Sequence, residues 1–435
     1  LKTKKIQQEK VNITTLGCSK NMVDSEVLSA QLRANEIEVE HENETLDYDV
    51  SIINTCGFID KAKEESINTI LEHVELKNQG KLEKVYVTGC LSERYKEDLT
   101  AEIEGVDAWF GTMELPALLK KFEADYKTEL VGERFLSTPS HYAYLKISEG
   151  CNRTCSFCAI PLMRGKHISK PIEELIIEVK KLVAQGVKEI MLIAQELTYY
   201  GLDIYKERKL AELLNSLCKI DGLHWIRLHY AYPHKFPLEI IDVMKAQPKI
   251  CNYLDMPLQH ISDDLLTSMK RQITSADMYE LIDEIKKRNP SICLRSTFIV
   301  GYPGETLEHI EELKAFLEKI EFDRVGVFTY SHEENTGAHA LVDDVPQEEK
   351  ERRAQDVMAF QQDISYAQNL KKVGKEFEVI IDRKEAGRFI GRTEFDSVEV
   401  DNEVIIQEAH DLSIGSLVKV KIVKAYDYDL EAILV

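Results

Sequence analysis

The stretch Cys151-Asn152-Arg153-Thr154-Cys155-Ser156-Phe157-Cys158 holds the residue types best suited to chemistry in this chain. Its three thiols fall at positions i, i+4 and i+7, after Glu149-Gly150 and just ahead of Pro161. On a helix that spacing would put all three on one face, as a plain core stripe. Gly150 and Pro161 bracket the stretch, however, and Asn152, Thr154 and Ser156 suit turns better than a helix interior. The spacing therefore predicts a loop wrapped around a metal centre. Zinc would need a fourth ligand to close its shell, for which His167 is available. An iron–sulfur cubane would instead take the three thiolates and leave one iron without a protein ligand. Such an iron is free to chelate a substrate or cofactor.

Three further cysteines share a second pattern. Val11–Leu16 runs into Gly17-Cys18, Val50–Ile53 into Asn54-Thr55-Cys56-Gly57, and Lys84–Thr88 into Gly89-Cys90. Helix-like segments such as Ser25–Ala34, Ala62–Leu76 and Pro116–Phe122 follow these runs, which is the pattern of a parallel α/β sheet. Ligands of open α/β sheets collect at the carboxyl ends of the strands, so three thiols placed there should converge. They are either small core residues or the ligands of a second iron–sulfur cluster, again with one open iron; the flanking glycines favour the cluster. Cys218, Cys251 and Cys293 lie in a helix or near strand starts and are assigned to the core.

The elements that must position these thiols are numerous. A chain of 435 residues exceeds one ordinary core and suggests two to four domains. No apolar run approaches the ~20 residues that span a bilayer, and Leu1–Lys10 is basic and polar, so a cytoplasmic protein with no membrane contact is expected. Nine cysteines in that setting argue for reduced thiols and metal ligation. A formal net charge of −21 repels nucleic acid and steers the chain toward basic partners.

Residues 1–135 read as the parallel α/β domain, and Leu136–His141 as a linker. Residues 142–370 show six strand-like runs: Tyr144–Ser148, Glu189–Ala194, Trp225–Tyr230, Tyr253–Leu258, Ile292–Val300 and Arg324–Tyr330. Amphipathic helices separate them, which predicts a partial (βα)6 barrel of TIM type with its active site at the strands' carboxyl ends. Glu348–Leu370 is a long polar helix closing or leaving that barrel. From residue 371 short strands take over, at Glu376–Arg383, Arg388–Thr393, Ser397–Val400, Glu403–Gln407, Leu417–Ala425 and Glu431–Val435. They predict a small antiparallel β-barrel. It carries ten Lys/Arg against fourteen Asp/Glu, which favours a basic protein partner over RNA.

A CxxxCxxC motif with an aromatic before its last cysteine resembles the radical S-adenosylmethionine (SAM) superfamily. The whole chain resembles the methylthiotransferases, which join an N-terminal cluster domain, a radical-SAM barrel and a C-terminal TRAM domain. Leu16-Gly-Cys-Ser-Lys-Asn-Met-Val-Asp-Ser-Glu26, Trp225–Pro233, Leu254–Asp263 and Leu294–Thr306 are similar to the RimO-type branch, with His229 and Tyr302 as minor departures. Gln259-His260-Ile261-Ser262 differs from the tRNA-modifying branch.

That resemblance implies two 4Fe-4S clusters and SAM. Cys151, Cys155 and Cys158 would hold the cluster that binds and cleaves SAM, with Phe157 near the adenine. Cys18, Cys56 and Cys90 would hold an auxiliary cluster that presents sulfur. Cleavage of SAM yields a 5′-deoxyadenosyl radical able to abstract hydrogen from an unactivated carbon, so the cofactors carry the chemistry and no side-chain acid or base is assigned. The expected product is 3-methylthioaspartate in small-subunit ribosomal protein twelve, a basic substrate recognised through the TRAM barrel, with flavodoxin or ferredoxin as reductant. Gln195-Glu196 and the turn Gly301-Tyr302-Pro303-Gly304-Glu305 are candidate SAM contacts, with Arg227, Arg271, Arg295 and Thr297 as lesser ones. His167, His229, His260 and His332 lack paired ligand spacing and suit local polar roles. A tRNA methylthiotransferase, for which direct tRNA binding would be required, and a non-enzymatic iron–sulfur carrier are the alternatives.

Overall fold

The computed structural model describes residues 9–407 and 412–435, so most of the polar Leu1–Lys10 segment lies outside it. The first third alternates β1 (Lys10–Thr15), α1 (Ser19–Ala34), β2 (Glu38–His41), β3 (Val50–Thr55), α2 (Asp60–Asn78), β4 (Lys84–Gly89), α3 (Cys90–Glu102), β5 (Ala108–Trp109) and α4 (Leu115–Leu119). Its sheet runs β2-β1-β3-β4-β5, parallel throughout. β3 is buried along its whole length, the apolar run expected of a strand covered on both faces. The strands that lead into cysteines, β1, β3 and β4, are direct neighbours. The short edge strands β2 and β5 carry no sequence run long enough to announce them.

The middle of the chain continues with β6 (Tyr142–Lys146), β7 (Ser148–Glu149), α5 (Ile160–Arg164), β8 (Ile168–Ser169), α6 (Ile172–Ala184), β9 (Glu189–Ile193), α7 (Leu210–Leu217), β10 (Trp225–Leu228), α8 (Glu239–Ala246) and β11 (Ile250–Asp255). It then adds α9 (Asp263–Ser268), α10 (Ser275–Arg288), β12 (Cys293–Val300), α11 (Leu307–Ile320), β13 (Arg324–Thr329) and α12 (Gln347–Leu370). Six parallel strands in the order β6-β9-β10-β11-β12-β13 form the partial barrel, whose free edges are β6 and β13. The strand expected at Tyr253–Leu258 begins at Ile250 and stops at Asp255, ahead of Pro257, which has no N–H to give a ladder. Leucines and isoleucines of α6, α7, α8, α10 and α11 cover the outer face in one continuous core.

The last part forms a closed barrel, β14 (Glu376–Glu385), β15 (Arg388–Arg392), β16 (Val404–Ile406), β17 (Leu417–Ala425) and β18 (Leu430–Leu434), in the order β14-β15-β16-β18-β17. It is not wholly antiparallel, because β16 and β18 pair in parallel. Ser397–Val400 is not a strand either. It belongs to the loop between β15 and β16, which enters the six-stranded barrel from the amino ends of its strands. There Ser397 hydrogen-bonds His229 at 3.1 Å and Tyr253 donates to Asp401 at 2.7 Å. Val398 packs on Tyr142, Tyr144 and Met191, and Asp396 pairs with Arg324 at 2.6 Å. This loop reaches all six strands' neighbourhoods and floors the barrel.

The N-terminal unit roofs the opposite end by gripping both free edges. Asp24 pairs with Lys146 of β6, while Arg94 and Lys63 reach Glu333 just past β13 at 2.5 and 3.0 Å. Among the described residues no helix is long and apolar enough to cross a membrane.

Burial alone would raise the carboxyls that fix the floor, but their partners outweigh it. Arg324 and Lys372 hold Asp396 below the ordinary carboxylate range, and His141 and Arg392 do the same for Asp382. A carboxyl depressed in the folded state contributes stability that is present above about pH 4 and lost as pH falls through the depressed value. Limited proteolysis should therefore find the small barrel loosening first in acid. Asp396→Ala, which strands Arg324, should cost about 3–5 kcal/mol in denaturant unfolding.

Candidate functional site

Each cysteine of the first set sits at a strand-to-helix junction beside a glycine that lets the junctions touch. Cys18 is the N-cap of α1, and Gly17 before it has φ +91°; a Cβ there would stand 2.5 Å from Cys56 Cβ. Cys90 opens α3 after Gly89, whose φ of +101° an L side chain rarely adopts. A Cβ on Gly57 would meet Leu91 Cα at 2.7 Å. Asn21, one turn into α1, binds the group together. Its Nδ2 donates to the carbonyls of Leu16 and Thr55 at 2.8 and 3.0 Å, and its Oδ1 lies 3.8 Å from Cys90 Sγ. Ser66 of α2 fixes the Cys56 backbone from the other side. The three thiols do converge, and burial pushes the Cys90 thiol up to about 12 and the Cys56 thiol upward as well.

The second set lies on the loop after β7. Gly150 has φ +72°, and a Cβ there would strike the Lys166 carbonyl at 2.1 Å. Ser156 pins the middle of the loop, with its N–H on the Met269 carbonyl at 3.0 Å and its hydroxyl on Ser268 O at 2.8 Å. Tyr302 Oη meets that hydroxyl at 3.0 Å. Arg153 pairs with Glu196 at 3.0 Å and stacks between Tyr199 and Tyr232. Arg271 donates to Cys155 Sγ at 3.3 Å. Burial raises Cys151 to about 11 and Cys158 to about 12. Thiols this reluctant to ionise give up their protons to a bound cation.

Among the described residues no three His, Cys, Asp or Glu side chains close on a single-ion position. Sulfurs around one zinc would lie within about 3.8 Å of each other. His167 is bonded instead to Ser169 at 3.1 Å, so the closed zinc alternative is not formed. Three thiols to a set would suit a multi-iron cluster.

Arg164 links the two sets. It ends α5, six residues past Cys158, and its Nε donates to Cys90 Sγ at 3.3 Å. Its Nη1 reaches Asp24 at 2.6 Å and Glu149 at 3.3 Å, and its Nη2 bonds Asn21 Oδ1. Ala159 and Met163 of the same segment pack on Cys90. Asp24 is half-buried, and the desolvation this brings would raise its carboxyl, yet Lys146 and Arg164 hold it below its ordinary value.

Several expected contacts turn out to be engaged elsewhere. Arg227 is wholly buried between Glu189 at 2.8 Å and the Glu394 carbonyl at 2.7 Å, under the floor loop. Arg295 is held by Asp255 and Asp401 at 3.2 and 3.3 Å, and also touches Thr297. Glu196 pairs with Arg153 and accepts from Thr198 N at 2.7 Å. In the Gly301–Glu305 turn, Glu305 accepts from Gly301 N at 2.7 Å and Arg353 at 2.8 Å, and Gly304 N donates to Asp344. Pro303 is buried, and Tyr302 is the turn's link to the cysteine loop. His260 accepts from Ser262 N at 3.0 Å and lies 3.5 Å from Glu305, a local polar role. Phe157 packs with Tyr302 and Met269. Gln195 donates to Glu149 at 2.8 Å, and its Oε1 is buried with no hydrogen-bond partner among the described residues. Asn21, Asp24, Arg153, Arg164 and Tyr232 are site residues that the sequence does not single out, although all but Arg164 lie inside the quoted motif stretches.

Six parallel strands with a three-cysteine loop after the first define the radical SAM class, and residues 145–317 match the radical SAM superfamily. Residues 10–111 match the uncharacterized protein family UPF0004, and residues 373–435 match the TRAM domain. The fold is similar to the radical SAM methyltransferase TsrM from Kitasatospora setae, with TM-score 0.55 and 15% identity over 74% of this chain and 75% of that one. Across 99% of its length the chain is 58% identical to the ribosomal protein uS12 methylthiotransferase RimO of Christiangramia forsetii, covering 95% of that protein. It is 56% identical to the same-named protein of Flavobacterium johnsoniae, covering 99% of both chains. The Bacteroides thetaiotaomicron protein of that name is 50% identical, covering 98% of both. The chain belongs to the RimO family of ribosomal protein uS12 methylthiotransferases.

Arg164→Met would leave Asp24, Glu149 and Asn21 Oδ1 facing a gap in a buried network. We expect a loss of about 3–5 kcal/mol in calorimetric or denaturant stability. Full stability in that variant would mean that Arg164 is not what ties the two sets together.

Proposed function

We infer that this protein is a radical SAM methylthiotransferase that places a methylthio group on the β-carbon of an aspartate of ribosomal protein uS12. The observation that carries this is the pairing of two converged three-cysteine sets, each one thiolate short of closing a cubane, tied through Arg164. Cys151, Cys155 and Cys158 would hold the cluster that binds SAM, and Cys18, Cys56 and Cys90 an auxiliary cluster. When bound, these groups supply a carbon-radical oxidant and a sulfur, chemistry beyond any side chain here.

The chain's own part is to hold, orient and neutralise. Arg271 beside Cys155 and Arg164 beside Cys90 each place a guanidinium on one ligand sulfur, stabilising thiolate charge in a buried setting. Tyr302 and the Ser268 and Met269 carbonyls hold the loop's shape through Ser156. The Gln195 Oε1, buried with no hydrogen-bond partner among the described residues, would accept from the SAM ammonium, and Phe157 would offer an apolar edge for the adenine. Arg227, Arg295 and Thr297 support the floor. The TRAM barrel, with its acidic excess, is assigned to recognition of the basic substrate protein, in the cytoplasm and within or beside the ribosomal subunit. An acidic surface of this kind opposes tRNA binding.

A Cys18/Cys56/Cys90→Ala triple variant should keep SAM cleavage and lose methylthio insertion into uS12, scored by mass spectrometry of the aspartate peptide. Insertion by the variant at the wild-type rate would refute the assignment of the first set.

A further inference from the structure

One cation where the roof meets the barrel has no acid to pair with. Lys20 lies in the first turn of α1, two residues past Cys18, and its ammonium stands 3.4 Å from the centroid of the Tyr230 ring. It has no carboxylate partner among the described residues. The other cations around the site are taken: Lys146 and Arg164 by Asp24, Arg153 by Glu196, Arg227 by Glu189 and Arg295 by Asp255. Arg271 donates to Cys155 and to the Pro257 carbonyl. A lysine in a first turn also works against the helix macrodipole, which favours acids there, and α1 has no acid in that turn. The field at the start of α1 is therefore positive and uncompensated.

The ring beneath Lys20 belongs to the barrel lumen. Tyr142, Tyr144, Met191 and Ile193 alternate along β6 and β9 with residues of the outer core, so they point inward. Tyr230 belongs to their cluster, as do Met22, Val23 and Val27 of α1. Regular alternation past the end of β10 would turn Tyr230 outward, because Leu228 lies in the outer core and His229 points in to Ser397. A φ of +63° brings it back, and its N–H donates to Asp255 Oδ2 at 3.3 Å. That conformation is costly for a bulky residue and persists only where the surroundings impose it, which is the mark of a functional position. The ring holds the ammonium in place without neutralising it. Both residues are only half-buried, so the ammonium keeps hydrogens for a further acceptor.

We propose that Lys20 binds the side-chain carboxylate of the aspartate that is modified, and so selects aspartate over asparagine. The proposal rests on the function inferred above. In aspartate the carboxylate carbon is bonded directly to the β-carbon, so an ammonium on the carboxylate steadies the reacting carbon and leaves its hydrogens uncovered. Lys20 and Cys18 share the start of α1, so one element carries both the grip on the substrate and a ligand of the first cysteine set. An amide in place of the carboxylate forfeits the charge-assisted hydrogen bond. The acidic small barrel attracts the basic protein as a whole, while Lys20 reads the single acid to be changed.

The test uses the full holoenzyme and full-length uS12, either natural or with asparagine in place of the target aspartate. Titration calorimetry on the wild-type enzyme should show at least about tenfold tighter binding of the aspartate form. Equal affinities would overturn the proposal without any enzyme variant. Lys20→Met should abolish that preference and raise KM for uS12 at least about tenfold, with the iron content and Mössbauer spectrum of the wild type. Lys20→Arg, which keeps the charge, should restore part of the preference. A Lys20→Met enzyme that still prefers aspartate, or a Lys20→Arg enzyme no more selective than Lys20→Met, would also overturn it. Wild-type enzyme that inserts no methylthio group into natural uS12 would strike the inferred function itself, and the proposal with it.

Discussion

The structure depends on one buried guanidinium. Arg164 touches a cysteine of the first set, the helix that follows another, and the acid two residues ahead of the second set. Without it Asp24 and Glu149 would face each other across Lys146 in a low-dielectric interface, where an uncompensated charge is costly. With it, two sheets with separate cores share one register at the edge where their ligands collect. Because α5 begins directly after Cys158, any movement of the SAM-side loop is passed to Cys90 through a single short helix. Distance between the sets is thereby set by covalent chain and a fixed fork of hydrogen bonds.

The small barrel works by the same physics at the other end. Its floor loop replaces solvent inside an open barrel with paired charges: Asp396 on Arg324, Asp401 on Arg295, and Glu189 shared by Arg227 and Arg392. Buried pairs add little net stability over apolar packing, but they are intolerant of any other arrangement. They hold one orientation of barrel and floor, so the lumen keeps a defined shape between the roof at Glu333 and the floor at Ser397. The apolar core on the outer face supplies the bulk of the folding free energy, and the charges supply uniqueness.

What was legible in the sequence was local. Gly17-Cys18, Cys56-Gly57 and Gly89-Cys90 announce tight strand-to-helix junctions, because only glycine admits those backbone angles or that close approach. The cysteine loop likewise declares itself between Gly150 and Pro161. Ser397–Val400 misled because its alternating pattern is that of a half-buried strand, whereas its true partners lie in the other barrel; Ser397, for one, meets His229 across 168 residues. Arg227 and Arg295 sit on strands at the right depth for cofactor contacts, yet their carboxylate partners come from distant segments and leave no periodic trace. Arg164 was hidden for the same reason. Long-range ion pairs have no spacing to read.

The most direct test of the account is iron and sulfide quantitation with Mössbauer spectra on anaerobically prepared protein. Wild type should hold about eight irons, and both the Cys18/Cys56/Cys90→Ala and the Cys151/Cys155/Cys158→Ala variants about four, one cubane remaining in each. About four irons in the wild type, unchanged when the first set is removed, would contradict it and leave no second site to supply the sulfur.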